Sequence, residues 1–156
     1  MNIKELRKSK KLTQKEASEF VNIPLRTYKN YENDNHKAHS IKYDYIMEKL
    51  TRYGYIDEDH GVLNIDDIQN TCKTLFDKYD IDYCYLFGSY AKGNAHEKSD
   101  VDLLVSTSIT GMNFFGLVEE LRVQLKKRVE LLTIDQLYSN SALVNEILKD
   151  GIKIYG

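Results

Sequence analysis

Two aspartates one residue apart, Asp100 and Asp102, stand at the head of the apolar run "VDLLV". Side chains two positions apart on a β-strand point to the same face, so this spacing brings the two carboxylates together. Adjacent anions repel each other unless a cation lies between them. Mg²⁺ prefers oxygen ligands and shares them with phosphates. The pair therefore predicts a magnesium site at one end of a buried strand.

A glycine-serine turn lies a short distance upstream, in "GSYAKG" from Gly88 to Gly93. It follows the apolar segment "IDYCYLF" and is predicted to begin a short helix. The backbone N–H groups of such a turn and the Ser89 hydroxyl are suited to holding a phosphate, and Lys92 adds a positive charge nearby. Glycine-serine turns are common, so this turn indicates a phosphate site only in combination with the two aspartates.

The elements that must position these residues alternate between helix and strand. We predict a helix over 65–79, strands at 81–87, 101–107 and 128–134, helices at 113–127 and 141–150, and a short terminal segment at 152–156. Alternation of this kind favours a small α/β domain with few strands. Glu130 lies within the third strand, where Val129 and Leu131 point to the opposite face. Considered alone, it could be a solvated charge on an edge strand.

Together, "GSYAKG…SDVDLLV" resembles the nucleotidyltransferase superfamily that includes DNA polymerase β, and in particular its bacterial minimal nucleotidyltransferases. The resemblance extends over about residues 65–156. It implies that Gly88 and Ser89, with Lys92, bind the triphosphate of ATP, and that Asp100 and Asp102 bind Mg²⁺. A third carboxylate completes the family's set; Glu130 stands where the family usually has aspartate. Its longer side chain still offers an oxygen ligand or a proton acceptor, in altered geometry.

The first third of the chain is predicted to be entirely helical. "LTQKEASEF" contains a capping box, Thr13 with Glu16 three residues later, and Pro24 ends the helix that follows. A later helix, "SIKYDYIMEKLTRYG", is predicted to turn Ile41, Tyr45, Ile46 and Leu50 inward. The polar segment "IDEDHGVLN" then predicts a linker at 56–64, between domains at 1–55 and 65–156. The fold class is therefore α+β: an all-α domain followed by a small α/β domain with a mixed sheet.

The segment Leu12–Asp34 resembles, without a gap, the helix-turn-helix of the Cro and phage repressor family. Asn22 stands in the turn where that family usually has glycine, and asparagine tolerates a left-handed conformation. The resemblance implies binding to operator double-stranded DNA through the start of the second helix. The residues expected to contact DNA are Thr13, Gln14, Arg26, Thr27, Lys29 and Asn30. A helical bundle that contacts a protein partner is the alternative.

Charge supports this division of the chain. The first 55 residues carry 12 Lys or Arg against 7 Asp or Glu, whereas the remainder carries 10 against 17, for a net charge of −2. A basic first part favours nucleic acid and an acidic second part favours bound cations. No long apolar segment or signal peptide is recognisable, so we expect a cytoplasmic protein without a membrane partner. Cys72 and Cys84 are predicted to be buried apolar residues rather than ligands.

Minimal nucleotidyltransferases are commonly antitoxins of HEPN ribonuclease toxins (higher eukaryote and prokaryote nucleotide-binding proteins). The resemblance therefore implies a protein adenylyltransferase that moves AMP from ATP to a tyrosine of a cognate HEPN toxin and represses its own operon. Such a protein is expected to form a homo-oligomer or a hetero-oligomer with the toxin. Two alternatives stay open. One is an antibiotic nucleotidyltransferase, disfavoured by the small domain; the other is an inactive DNA-binding regulator that clamps the toxin.

Overall fold

The computed structural model describes all 156 residues, and the chain forms two compact units, Met1–Tyr55 and Ile56–Gly156. The first unit contains only helices, as its pattern predicts. Besides a short 3₁₀ turn, they are α1 (Ile3–Ser9), α2 (Gln14–Phe20), α3 (Leu25–Asn33) and α4 (Ile41–Thr51).

The helix-turn-helix consists of α2 and α3. The predicted capping box begins α2: the Thr13 hydroxyl accepts a hydrogen bond from the Glu16 amide, and the Glu16 carboxylate accepts one from the Thr13 amide. Asn22 has a φ of +56°, so it adopts the left-handed conformation that asparagine was expected to supply in the turn. Pro24 then precedes α3 in extended geometry.

The core of the first unit is small and depends on both halves of the motif. Its fully or nearly fully buried side chains come from all four helices and from the connections on either side of α2: Ile3, Leu6, Leu12, Ala17, Val21, Tyr28, Ile46 and Leu50. The prediction for α4 was partly wrong, because Ile41 is 92% exposed and Tyr45 is 41% exposed. Ile46 and Leu50 are one helical turn apart and define the inner face, and Ile41 lies about 140° around the helix from Ile46.

The second unit is a four-stranded mixed sheet with helices on both faces. Its strands are β1 (Ile81–Phe87), β2 (Val101–Thr107), β3 (Val129–Thr133) and β4 (Ile152–Tyr155), in the order β3-β2-β1-β4. The β2–β3 pair is parallel, and β1 pairs antiparallel with β2 and β4. The helices are α5 (Ile65–Phe76), α6 (Gly88–Lys92), α7 (Gly111–Leu125) and α8 (Ser141–Asp150). The predicted combination of an all-α part and a mixed-sheet α/β part is confirmed.

The larger core lies on the face of the sheet that packs against α5 and α7. It includes Cys72 and Cys84, which are free and buried among apolar side chains. A smaller cluster on the other face joins Phe87 and Leu104 of the sheet to Ile147 of α8. Alternate residues of β1 and β2 therefore face apolar neighbours on either side, as expected for a sheet covered twice. None of the helices has both the length and the apolar composition needed to cross a lipid bilayer.

The segment 56–64 was predicted to be a linker, but in the structure it is part of the second unit. Glu58 binds Arg122 of α7, with 2.8 Å between Oε1 and Nε. Farther along, the Leu63 amide faces the Tyr90 hydroxyl at 3.4 Å. A polar composition is typical of a solvated linker, so it predicted one here. Composition alone does not show that these polar groups have hydrogen-bond partners elsewhere in the α/β unit.

Candidate functional site

Asp102 is the centre of the candidate site, and Gly88 packs directly against it. In the antiparallel β1–β2 pair, Phe87 is the partner of Asp102, so the next residue of the chain passes beside the Asp102 carboxylate. Gly88 has a φ of +71°, and a Cβ at this position would overlap Oδ2 of Asp102. Glycine is required here for two reasons. Its positive φ is a conformation that other residues rarely adopt, and its backbone lies too close to the Asp102 carboxylate to leave room for a side chain.

Glu130 is the second carboxylate of the site. The parallel register of β2 and β3 pairs Asp102 with Glu130, which places the two side chains on the same face. Burial, a hydrogen bond with Glu130 and the charges of Glu130, Asp100 and Glu146 together raise the pKa of Asp102 to about 7, and burial contributes most. The Asp102 carboxylate therefore holds its proton to a higher pH than an ordinary aspartate does.

Asp100 lies just before β2 rather than within it, and its carboxylate has a cationic partner. Oδ1 of Asp100 accepts a hydrogen bond from Nε of Arg128 at 3.2 Å. Both side chains are about half exposed, with exposed fractions of 50% and 43%. Asp100 is thus near the predicted site, but its carboxylate is paired with a guanidinium.

These residues fit a divalent cation by the chemistry of their donors. Asp102 and Glu130 present adjacent carboxylate oxygens whose repulsion a cation would relieve. No three His, Cys, Asp or Glu side chains are gathered as a ready-made metal cluster, because Asp100 is turned toward Arg128. Asp102 and Glu130 would hold the ion, and Asp100 would join them by exchanging its ion pair with Arg128.

Of the residues predicted to bind the nucleotide, Gly88 and Ser89 form the first turn of α6, beside Asp102. Lys92 ends the same helix and forms an ion pair with Glu146 of α8, with 2.8 Å between Nζ and Oε1. The hydrogen bond with Glu146 raises the pKa of Lys92. Lys92 thus stays cationic close to the turn, but it already has an anionic partner.

Sequence reasoning missed two residues of this site, Arg128 and Glu146. A signal for Arg128 existed: because β2 and β3 are parallel, the residue before β3 lies beside the residue before β2, which is Asp100. No comparable signal existed for Glu146, since its position depends on how α8 packs against α6 and β1.

In the helix-turn-helix, three of the predicted DNA-contacting residues form one exposed face of α3. Arg26, Lys29 and Asn30 are all exposed and are spaced three and four residues apart, which places them on the same side of the helix. Thr27 is half-buried, and Thr13 serves as the N-cap of α2.

Gln14 was predicted to contact DNA, and in the structure its side chain also forms a hydrogen bond with Glu32. Its Nε2 donates to Oε1 of Glu32 at 3.1 Å, and Glu32 also accepts two hydrogen bonds from Arg7, at 2.9 and 2.8 Å. Burial alone would raise the pKa of Glu32, but the hydrogen bonds from Arg7 and Gln14 and the charge of Arg7 hold that pKa below its usual range. The network connects α1, α2 and α3, so Gln14 also holds the recognition helix in place.

The sheet order and the carboxylates at its edge define a nucleotidyltransferase fold, and comparisons with known families agree. Residues 70–156 match the family described as polymerase beta nucleotidyltransferases, and residues 3–41 match a helix-turn-helix family. The first match covers more than half of the chain. The chain therefore belongs to the polymerase β nucleotidyltransferase family, and it carries a helix-turn-helix ahead of that domain.

Two relatives from Methanocaldococcus jannaschii, both named as candidate protein adenylyltransferases, are similar to this chain. One is 35% identical over 71 residues, which are 43% of this chain and 71% of the relative. The other is 30% identical over 95 residues, which are 59% of this chain and 99% of the relative. Both similarities are long enough to include most of the α/β unit.

Solved structures with a similar chain include a candidate minimal nucleotidyltransferase, at 25% identity and a TM-score of 0.49, covering 58% of this chain and 95% of the other. A toxin–antitoxin crystal structure with AMP-PNP is 26% identical with a TM-score of 0.48, covering 56% of this chain and 73% of the other.

Replacing Gly88 with alanine should disable the site. The new Cβ would displace the Asp102 carboxylate, and a misplacement of about 1 Å at a reacting centre can cost about a hundredfold in rate. We expect Gly88→Ala to lower nucleotidyl transfer by at least that factor and the free energy of unfolding by about 1–3 kcal/mol. Gly116→Ala in α7, where a Cβ meets nothing within 4 Å, is the control and should be neutral or slightly stabilising. Equal activity of the two variants would contradict this account of Gly88.

Asp102→Asn should stabilise the metal-free protein at alkaline pH. The pKa of Asp102 is raised on folding, so the folded chain binds more protons than the unfolded chain, and stability falls as pH rises toward about 7. Asparagine removes this dependence. We expect a gain of about 1–3 kcal/mol at pH 8 and little change at pH 4, measured by urea unfolding in EDTA. Added Mg²⁺ should stabilise the wild-type protein at pH 8 and leave the variant nearly unchanged. A pH-independent difference between the two proteins would argue against the raised pKa of Asp102.

Proposed function

We propose that this protein is an antitoxin with two activities. Its α/β unit transfers AMP from ATP to a tyrosine of a partner HEPN ribonuclease toxin in a Mg²⁺-dependent reaction. Its helix-turn-helix represses the operon that encodes the pair. The observation that carries the catalytic half is that Asp102 packs against Gly88 and has Glu130 beside it on the neighbouring strand. Two adjacent carboxylates are unfavourable without a cation, and the Gly88 turn is suited to a nucleotide phosphate beside one.

The chain's own residues would divide the work as follows. The Gly88–Ser89 turn lies beside Asp102 and is suited to holding the β- and γ-phosphates of ATP, with Lys92 nearby as a positive charge. Asp100, Asp102 and Glu130 would hold Mg²⁺. When bound, this ion neutralises phosphate charge and favours ionisation of the attacking hydroxyl.

Adenylyl transfer makes one bond and breaks one. The tyrosine oxygen bonds to the α-phosphorus, the bond from that phosphorus to the oxygen bridging to the β-phosphate breaks, and pyrophosphate leaves. The tyrosine proton must go to a base. We propose that Glu130, which is exposed on the edge strand of the sheet, accepts that proton and passes it to solvent.

A protein acceptor is supported by the relatives and by the size of the aligned domain. The α/β unit aligns with nearly the whole length of a relative named as a candidate protein adenylyltransferase. A domain of this size offers few added elements to enclose a small acceptor. The helix-turn-helix supports the second activity, because a DNA-binding unit on the same chain allows the antitoxin to regulate its own production.

The catalytic half is tested with full-length protein, α-labelled ATP, Mg²⁺ and the protein encoded by the neighbouring gene. We expect label on a tyrosine of that protein and loss of its ribonuclease activity, both reduced at least about a hundredfold by Asp102→Asn. Asp66→Asn, on the exposed first turn of α5, is the control and should behave as wild type.

Each other outcome points to a different function. Neutralisation of the toxin that survives Asp102→Asn without any label would favour an inactive clamp. Label that appears only on an added aminoglycoside or lincosamide would favour an antibiotic nucleotidyltransferase.

The DNA-binding half is tested with a fragment carrying the promoter of the same operon. Lys29→Ala should weaken binding about equally on operator and unrelated DNA and reduce the salt dependence of log K by about one unit. Arg26→Ala should reduce the preference for the operator. Lys149→Ala removes an exposed charge from α8 and should change neither property. Unchanged binding by both α3 variants would show that this helix is not the DNA-contacting element.

A further inference from the structure

The most deeply buried charged group of the α/β unit is not among the carboxylates. Lys127, in the turn between α7 and β3, has no exposed surface. Its Nζ donates to two backbone carbonyls, at 3.1 Å to His60 and 2.6 Å to Glu97. Burial lowers its pKa, and the carboxylates of Asp57, Glu97 and Asp59 counteract this through space. Burying an ammonium group is unfavourable unless its hydrogen bonds are made, so this lysine is expected to have a definite role.

The two carbonyls belong to two separate segments. One segment, Asp57–Gly61, is called the strap here; the other, Gly93–Asp100, joins α6 to β2 and is called the Asp100 loop. The strap and the loop also meet directly, since the Gly61 amide faces Oε1 of Glu97 at 3.5 Å. Lys127 therefore joins the strap to the loop that ends in a candidate metal ligand.

The Asp100 loop has few other contacts that fix its middle. At its start the Asn94 amide bonds to the Ser89 carbonyl, and after its end the Val101 amide bonds to the Arg128 carbonyl, at 3.1 and 2.9 Å. Between them, His96 and Ser99 bond mainly to each other. The buried Lys127 ammonium, which lies outside the loop, donates a hydrogen bond to the Glu97 carbonyl and so fixes the middle of the loop.

The residue after Lys127 extends the same arrangement. Arg128 binds the Asp100 carboxylate and also lies 3.5 Å from Glu58 of the strap. Arg122 binds the same Glu58 at 2.5 Å. Lys127 and Arg128 thus connect the strap to the Asp100 loop, and Arg122 attaches the strap to α7.

We propose that Lys127 is a positioning residue of the metal site: by attaching the Asp100 loop to the strap, it holds Asp100 where a divalent cation bound to Asp102 and Glu130 can reach it. This proposal rests on the proposed function, because it takes the three carboxylates as metal ligands. Residues that orient metal ligands typically contribute about 10- to 100-fold in metal affinity.

The test is a double-mutant cycle on full-length protein with Mn²⁺ as the probe, measured from the electron paramagnetic resonance signal of the unbound ion. We expect Lys127→Met to weaken Mn²⁺ binding about tenfold. In an Asp100→Asn background the same change should have little further effect, because Lys127 acts through Asp100. Hydrogen exchange of the amides of residues 94–99 should accelerate in Lys127→Met. Lys126→Met, the exposed neighbour with the same loss of charge, should bind Mn²⁺ as wild type does.

The outcomes separate this proposal from the proposed function. Wild-type protein that binds no Mn²⁺ would remove the metal site and with it the proposed chemistry. Normal wild-type binding together with unchanged Lys127→Met binding, or losses that simply add to those of Asp100→Asn, would overturn the role of Lys127 alone. If Lys127→Met does not fold, Lys127→Arg replaces it. This variant keeps the cation but shifts its donors, and no loss of Mn²⁺ affinity in the same cycle would equally overturn the proposal.

Discussion

The packing of the Gly88 backbone against the Asp102 carboxylate is the constraint on which the catalytic unit depends. It requires β1 to end one residue before a left-handed glycine, and it requires β2 to run antiparallel so that Phe87 pairs with Asp102. Two neighbouring strands thereby bring the turn proposed to bind phosphate next to the carboxylate proposed to bind a metal ion. Sites carried on strands hold their side chains more precisely than sites carried on loops.

The third strand, β3, supplies the second carboxylate of the candidate site. Because β3 is parallel to β2, the α7 crossover delivers Glu130 to the position beside Asp102. A negative pair results without any direct cationic partner, and the pKa of Asp102 rises to about 7. The cationic side chains nearby are already occupied elsewhere: Arg128 pairs with Asp100 and Lys92 with Glu146. The Asp102–Glu130 pair therefore favours the binding of an added cation.

How far the sequence could predict this arrangement depended on the range of the interactions. Local signals were reliable: the Thr13 capping box, the left-handed Asn22 and the apolar runs that form β1 and β2 are each set within a few residues. Contacts between distant segments were not readable. The polar segment after Tyr55 was predicted to be a linker because its partners Arg122, Lys127 and Arg128 lie more than sixty residues away. Glu146 was missed for the same reason, and Gln14 was assigned to DNA without its contact to Glu32.

The two units differ in whether a buried carboxylate has a cationic partner. In the helix-turn-helix, the Glu32 side chain is buried but accepts two hydrogen bonds from Arg7, so its pKa is held below its usual range and its charged form is favoured. This pair joins the first helix to the recognition helix, and breaking a buried pair is costly because it leaves a charge without a partner. In the α/β unit, Asp102 is left beside another carboxylate, so its charge depends on pH and on what binds. A paired carboxylate provides rigidity, whereas an unpaired one favours a cation. The same type of side chain thus fixes the position of α3, the helix proposed to contact DNA, in one unit and favours the proposed metal ion in the other.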